Sequence, residues 1–229
     1  MPDTPPAHTN LLPEAVSIKR RDLVRFDLAR GMPAAIEVLR KHLSPTSFLK
    51  VMAAYARVSL EDPLATLSLD GWPPARERLV RHQLRAAVSL DMALERALAM
   101  PEAERLDLLL AVISETGARF IESFLPLPDM EVWHGATRNE REAYIEGAIG
   151  AFFNAEVDAI HAEDEQLGFD VCQCRFVQLT HQLGRAHLAT MFCAADSVFF
   201  AREGAPVRLE RTGTLATGAP RCDFRFHYT

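Results

Sequence analysis

The apolar residues of this chain change their spacing once, and that change limits what it can fold into. Up to about position 165 they recur every three to four residues, the period of a helix buried along one face. From Ser17 to His42 the repeating positions are Ile18, Leu23, Phe26, Leu28, Ile36 and Leu39, and Gly31 with Pro33 predicts a break or two helices there. A second helix is expected from Ser47 to Leu60, closed by Glu61-Asp62-Pro63. The loop Asp70-Gly71-Trp72-Pro73-Pro74 precedes a third, from about Ala75 to Met100. Pro101-Glu102-Ala103-Glu104 places proline and acids in a first turn, opening a helix to about Phe124 that stops before Pro126 and Pro128. Thr137 followed by Glu140 is a capping box, and the helix it opens is expected to run past Ile149 and Phe153 to about His161.

Beyond that point the period falls to two. Phe169, Val171, Gln173 and Arg175 alternate with Asp170, Cys172, Cys174 and Phe176, which predicts a strand. His181 to Arg202 returns to helical spacing. Val207 to Leu215 and Arg221 to Tyr228 read as two more strands joined by a Thr217-Gly218-Ala219-Pro220 turn. The expected class is α+β: a helical scaffold over 14–164, then a strand-helix-strand-strand unit over 165–229 with a small antiparallel sheet, the two forming one compact domain. Residues 1–13, with Pro2, Pro5, Pro6 and Pro13, are expected to be a frayed tail.

Composition narrows the partners. The 229 residues carry a net charge of −6 and no basic stripe, so a nucleic-acid partner has no support. The longest apolar runs, such as Leu108 to Ile113, are far shorter than a membrane span. Without the basic start and apolar centre of a secretory signal, the four cysteines are expected to be reduced thiols in the cytoplasm. The leucine-rich helix over 103–125 would pack within the chain or across a homo-oligomer.

The residues that could carry chemistry lie in the last third. Cys172 and Cys174 are two apart, so a regular strand sends both thiols to one face, either as small packed apolar groups or as one half of a metal site that has no second pair. Cys193 and Asp196, three apart on a helix, share a face. The final strand divides by parity, with Cys222, Phe224, Phe226 and Tyr228 on one side and Arg221, Asp223, Arg225 and His227 on the other. His181 and His187 are badly spaced for a shared face, and the acids around His161 read as a solvated helix end. No dinucleotide fingerprint, phosphate loop or nucleophile elbow occurs.

Taken in order, Phe169-Asp170-Val171-x-x-Cys174-Arg175-Phe176, Leu183-Gly184, Cys193-x-x-Asp196 and Arg211-Thr212-x-Thr214-Leu215-x-x-Gly218-Ala219-x-x-Cys222-Asp223-Phe224-Arg225-Phe226 resemble the L-2-amino-thiazoline-4-carboxylic acid hydrolase family over about 165–227. Cys172 departs from that pattern, which has threonine there. The resemblance implies a hydrolase that opens a small carboxylated cyclic amidine, in the named case an aminothiazoline ring giving N-carbamoyl-cysteine. The chemistry of that reaction suits Asp196, then Asp223, as general acid or base, and Cys193 or Cys222 as the nucleophile if a thiolate attacks. Arg211 or Arg225 would fork onto the substrate carboxylate, while Thr212, Thr214, Gly218 and Cys174 complete the binding surface. Three thiolates, Cys174, Cys193 and Cys222, could alternatively converge on a metal with water in the open position, so the cofactor stays open. The rival reading is a non-enzymatic small-ligand or thiol- and metal-sensing domain, for which Cys172 beside Cys174 is the supporting feature. A purely structural interaction module comes third, since it leaves the closing block without a purpose.

Overall fold

The computed structural model describes residues 18–68, 71–125, 127–163, 165–205 and 207–228. The expected tail over 1–13 lies outside them. Helix α1 (Arg20–Phe26) passes through one π-helical turn (Asp27–Gly31) into α2 (Met32–His42). The break predicted from Gly31 and Pro33 is thus a widened turn in a continuous rod, with Pro33 directly after it in the first turn of α2. Helix α3 (Pro45–Glu61) is capped by Ser44 and ends at Asp62 in the left-handed region. The long helices α4 (Pro74–Ala97) and α5 (Glu102–Phe124) follow, then the short α6 (Met130–Gly135).

The Thr137–Glu140 capping box opens α7 as expected, but α7 (Arg138–Ile149) stops twelve residues before His161. Gly150 to Asn154 forms turns instead, and Ala155–Ala162 is a strand, β1. It pairs antiparallel with β2 (Gln166–Cys174), which feeds directly into α8 (Arg175–Gln182). Arg175 and Phe176, predicted as strand, thus open a helix, and most of the helix predicted over 181–202 is the separate α9 (His187–Phe200). Strand β3 (Val207–Glu210) is shorter than predicted, and β4 (Cys222–Tyr228) lies where alternation put it. The sheet order is β1-β2-β4-β3, antiparallel throughout, and the class is α+β.

Register explains which face is buried. Leu167, Phe169 and Val171 stand opposite Phe226, Phe224 and Cys222. These six pack against Ile121 of α5, Ile145 of α7 and Phe200 of α9. Four phenylalanines interlock there, with Phe169 and Phe224 stacked at 4.9 Å and Phe200 edge-on to Phe226 at the same separation. A second apolar cluster joins α4 and α5 to Phe176, Leu179, Leu188 and Met191, so α8 and α9 bridge the helical layer and the sheet. None of the described helices is long and apolar enough to cross a membrane.

Two acids on α4 anchor everything that follows. Glu77 and Asp91 are fourteen residues apart, close to four whole turns, and so lie on one face. Glu77, 2% exposed, accepts a bidentate pair from Nε and Nη2 of Arg175 (2.8 and 3.2 Å) and a further bond from Arg81 (2.8 Å). Asp91, fully buried, is held by Arg105, Arg185 and His187. Removing one member of a buried pair strands its partner's charge. Glu77→Ala is therefore expected to lower stability by about 3–5 kcal/mol. Chemical denaturation at neutral pH checks this, and a loss under about 1 kcal/mol would show that Arg175 finds water instead.

Candidate functional site

Where the sheet meets α5 and α9 lies a partly open hollow of about 130 Å³, and Cys174, Cys193, Asp196 and Cys222 all line it. Each arrives by a different element. Cys222 is the first residue of β4 and points inward by parity. Cys193 and Asp196 share the inward face of α9. This helix can lie close because α5 presents Gly117, where a Cβ would come within 2.8 Å of the Ala195 Cβ.

Cys174 arrives through an irregularity. Glu156 pairs with Gln173 and Val157 with Val171, so Cys172 is an extra residue bulged out of β2. The bulge breaks the parity that would have placed Cys172 and Cys174 on one face. Cys174 lines the hollow, whereas Cys172 does not and instead donates to the Glu156 carbonyl at 3.4 Å. No face with two neighbouring thiols forms. Moreover, among the described residues no group of three or more His, Cys, Asp or Glu side chains is placed to hold a metal ion, so the three sulfurs share a cavity without forming a ligand cage.

The electrostatics separate the acid from the thiols. Among the residues lining the hollow, Asp196 alone carries a charge; the rest are mostly apolar and aromatic, with the amides of Asn154 and Gln83. Burial drives the Asp196 carboxyl up to about 6, against the pull of Arg211. About a quarter of its side chain stays accessible. Burial, reinforced by the Asp196 charge, pushes Cys193 up to about 12. Burial likewise raises Cys174 and Cys222, although Cys222 Sγ accepts from the Leu215 N–H at 3.2 Å. All three are thiols at neutral pH, while Asp196 titrates close to it.

The remaining residues singled out in the sequence have other employment. Arg211, its side chain only 7% exposed, lies behind Asp196 and does not line the hollow. It donates to Asp196 Oδ2 at 3.2 Å and to the Cys193 carbonyl at 2.7 Å, with its guanidinium 4.9 Å above the Phe224 ring. Asp223 accepts from the Thr212 N–H and hydroxyl and from the Gly213 N–H. Burial alone would raise its carboxyl, but these donors outweigh it and hold the group below its usual range. Asp223 and Thr212 thus latch the 211–213 loop to β4. Arg225 sits outside the hollow and pairs with Asp170 at 2.7 Å, alongside Arg221 at 2.9 Å. Thr214 caps the 3₁₀ turn Leu215–Thr217, and Gly218 ends that turn at φ 87°, its value being conformational, with open space around it.

Two further polar residues of the lining were not expected from the sequence. Gln83 comes from α4 and Asn154 from the turn before β1, where its side-chain N–H₂ approaches Cys174 Sγ at 3.7 Å. Trp72 and Arg76 fix that turn by donating to the Phe153 carbonyl, each at 3.0 Å. No local motif announces either residue; only tertiary packing brings them to the thiols.

The two carboxylates should respond oppositely to amidation. Asp223→Asn loses acceptor capacity for the loop and is expected to cost about 1–3 kcal/mol. For Asp196, whose folded value lies above its ordinary 3.8, ionisation disfavours the fold increasingly from about 4 to 6 and fully above 6. Asp196→Asn should therefore raise the melting temperature at mildly alkaline pH and leave it unchanged at strongly acid pH. Thermal unfolding of both variants across pH checks the contrast.

Searches among curated proteins and among solved structures return no match. A family model described as L-2-amino-thiazoline-4-carboxylic acid hydrolase matches residues 111–226, taking in part of α5, all of α6 to α9 and most of the sheet. That stretch is just over half of the 229 residues and holds Cys174, Cys193, Asp196 and Cys222, and the chain belongs to the L-2-amino-thiazoline-4-carboxylic acid hydrolase family.

Proposed function

We propose that the protein is a hydrolase that opens a cyclic amidine, with Asp196 as general base and water as the nucleophile. The observation that carries this reading is the single ionisable carboxylate in an apolar hollow, poised near 6 beside thiols that stay protonated. A protonated amidine is a planar cation with two N–H groups, and an isolated carboxylate is its natural partner. The ring carbon between sulfur and nitrogen then lies next to the base.

In the first step Asp196 takes a proton as water oxygen bonds to that carbon. In the second, the carbon–sulfur bond breaks and the protonated Asp196 returns the proton to the departing sulfur. One water is consumed, the amidinium becomes a protonated urea that releases its extra proton to solvent, and the carboxylate is regenerated. Arg211 acts as a positioning residue: it holds Asp196 Oδ2 from behind and keeps the acid from rising further. The amides of Asn154 and Gln83 supply neutral hydrogen bonds within the hollow.

A resting thiolate nucleophile is disfavoured, because burial holds Cys193 near 12 and raises Cys222 as well. The sensor reading loses its support for related reasons: Cys172 is turned away from Cys174, and no three-donor cluster forms among the described residues.

With 2-aminothiazoline-4-carboxylate as substrate, kcat/KM should rise with pH through an ionisation near 6 and then level off. Asp196→Asn should lower kcat by about 10²–10⁴-fold. Arg211→Gln should move the rising limb to higher pH, because the guanidinium is what opposes the upward push on Asp196. By contrast Cys193→Ser should stay within about tenfold of wild type. Full activity in Asp196→Asn, or loss in Cys193→Ser as large as in Asp196→Asn, would overturn the assignment.

A further inference from the structure

A second cavity, of about 220 Å³, lies among α2, α3, α4 and α5, and most of its lining falls outside the stretch matched by the family model. Its wall toward the hollow at Asp196 is shared: Gln83, Phe120 and Phe192 line both. The partition is thus one side chain thick. Phe192 lies four residues before Asp196 on α9, so the two spaces meet one helical turn from the candidate base.

Several features mark this chamber as built. The π-helical turn Asp27–Gly31 borders it, and such a turn costs helix regularity and is frequent at functional sites. That turn directs Asp27 to His82, with Oδ2 and Nε2 2.7 Å apart, setting a polar pair into a mostly apolar lining. Gly31 lets the turn pack closely on Phe26, since a Cβ there would come within 3.0 Å of that ring and make it shift. Among the described residues the Gln83 amide has no hydrogen-bond partner, although it stands at the boundary of both cavities. Neither space alone reaches the about 300 Å³ usual for a small-molecule site, whereas the two together do. No cationic side chain lines the hollow at Asp196, so nothing in its lining selects an acidic substituent.

We propose that the two cavities form one substrate site, with the amidine ring at Asp196, an apolar arm of the same molecule in the chamber beyond Phe120 and Phe192, and Gln83 hydrogen-bonding at the junction. The preferred substrate of this chain is then a cyclic amidine bearing an aryl or alkyl arm, in preference to the bare ring acid. This rests on reading Asp196 as the amidine-binding group. The helical half is a specificity element, and a ring without an arm leaves the larger cavity unfilled.

Calorimetric titration tests it with two probes, 2-amino-2-thiazoline and the same ring carrying a 3-phenylpropyl arm. The armed ring should bind wild-type protein about tenfold or more tightly than the bare ring. Ala35→Phe and Met52→Trp, which fill the chamber from α2 and α3, should each shrink that advantage to under about threefold and leave binding of the bare ring unchanged. Equal affinity of the two probes for wild type, or an advantage that survives both substitutions, overturns the proposal. Should a variant not fold, competition by propylbenzene decides the matter on wild type: it must displace the arm's contribution to binding of the armed ring and leave the bare ring's affinity untouched. Ring opening does not enter this readout. A protein that binds the armed ring tightly but opens neither ring would refute the hydrolase reading and leave the chamber standing; one that opens the bare ring without favouring the armed one would do the reverse.

Discussion

The point where β2 turns into α8 is held by the buried pairing of Arg175 with Glu77, and the placement of the hollow depends on it. Arg175 follows Cys174 directly, and its backbone N–H donates to the Asn154 carbonyl at 2.7 Å. One residue therefore ties the thiol, the turn that carries Asn154 and α4 together. Glu77 also takes Arg81, leaving one positive charge in excess. That excess is met by carbonyl oxygens: Arg81 donates to Leu64, Leu67 and Ser68, and Arg175 to Ser68 as well. The chain after α3 is thereby cinched to α4 and α8. Such a cluster adds little net stability over an apolar equivalent, but it permits few alternative arrangements, because each unpaired charge would be costly.

Asp91 repeats the device four turns further along α4. It gathers Arg105 from α5, Arg185 from the α8–α9 connection and His187 from the first turn of α9. With its N-terminal end fixed there and its middle pressed against Gly117, α9 has little freedom in how it presents Cys193 and Asp196. The catalytic candidates come from the sheet and α9, while the helical layer fixes where they meet.

Periodicity made the long helices and β4 legible, because their apolar residues are dictated by a single buried face. The order of residues in the last third also exposed the three thiols and Asp196. What periodicity missed has a common cause, dependence on tertiary pairing. Ala155–Ala162 has no strong strand preference and becomes a strand only by pairing with β2, so the Thr137 capping box carried the expected helix too far. The Cys172 bulge depends on register, which parity counting assumes to be regular. Glu77 and Asp91 passed unnoticed because an acid on a helix ordinarily faces water, and only four incoming arginines distinguish them. Arg225 and Asp223, both prominent in the closing block, belong to latches on Asp170 and on the 211–213 loop. A motif rich in charge thus recorded structural pairing as much as chemistry.

The same desolvation acts on every ionisable group in the hollow, yet its consequences differ with where each group starts. A carboxyl ordinarily near 3.8, pushed upward, arrives at about 6, where it changes state under mild conditions. A thiol ordinarily near 9, pushed upward, moves away from that range, and Cys193 reaches about 12. An apolar lining therefore selects the acid as the titrating group without any residue that recognises it. Arg211 sets how far the push goes: seated behind Asp196 and stacked on Phe224, it offsets part of the burial penalty without entering the space itself. Had the guanidinium lined the cavity, its charge would have favoured thiolates and anionic ligands alike. Its withdrawal leaves one negative group facing an apolar space, which is an environment for a cation with little charge elsewhere.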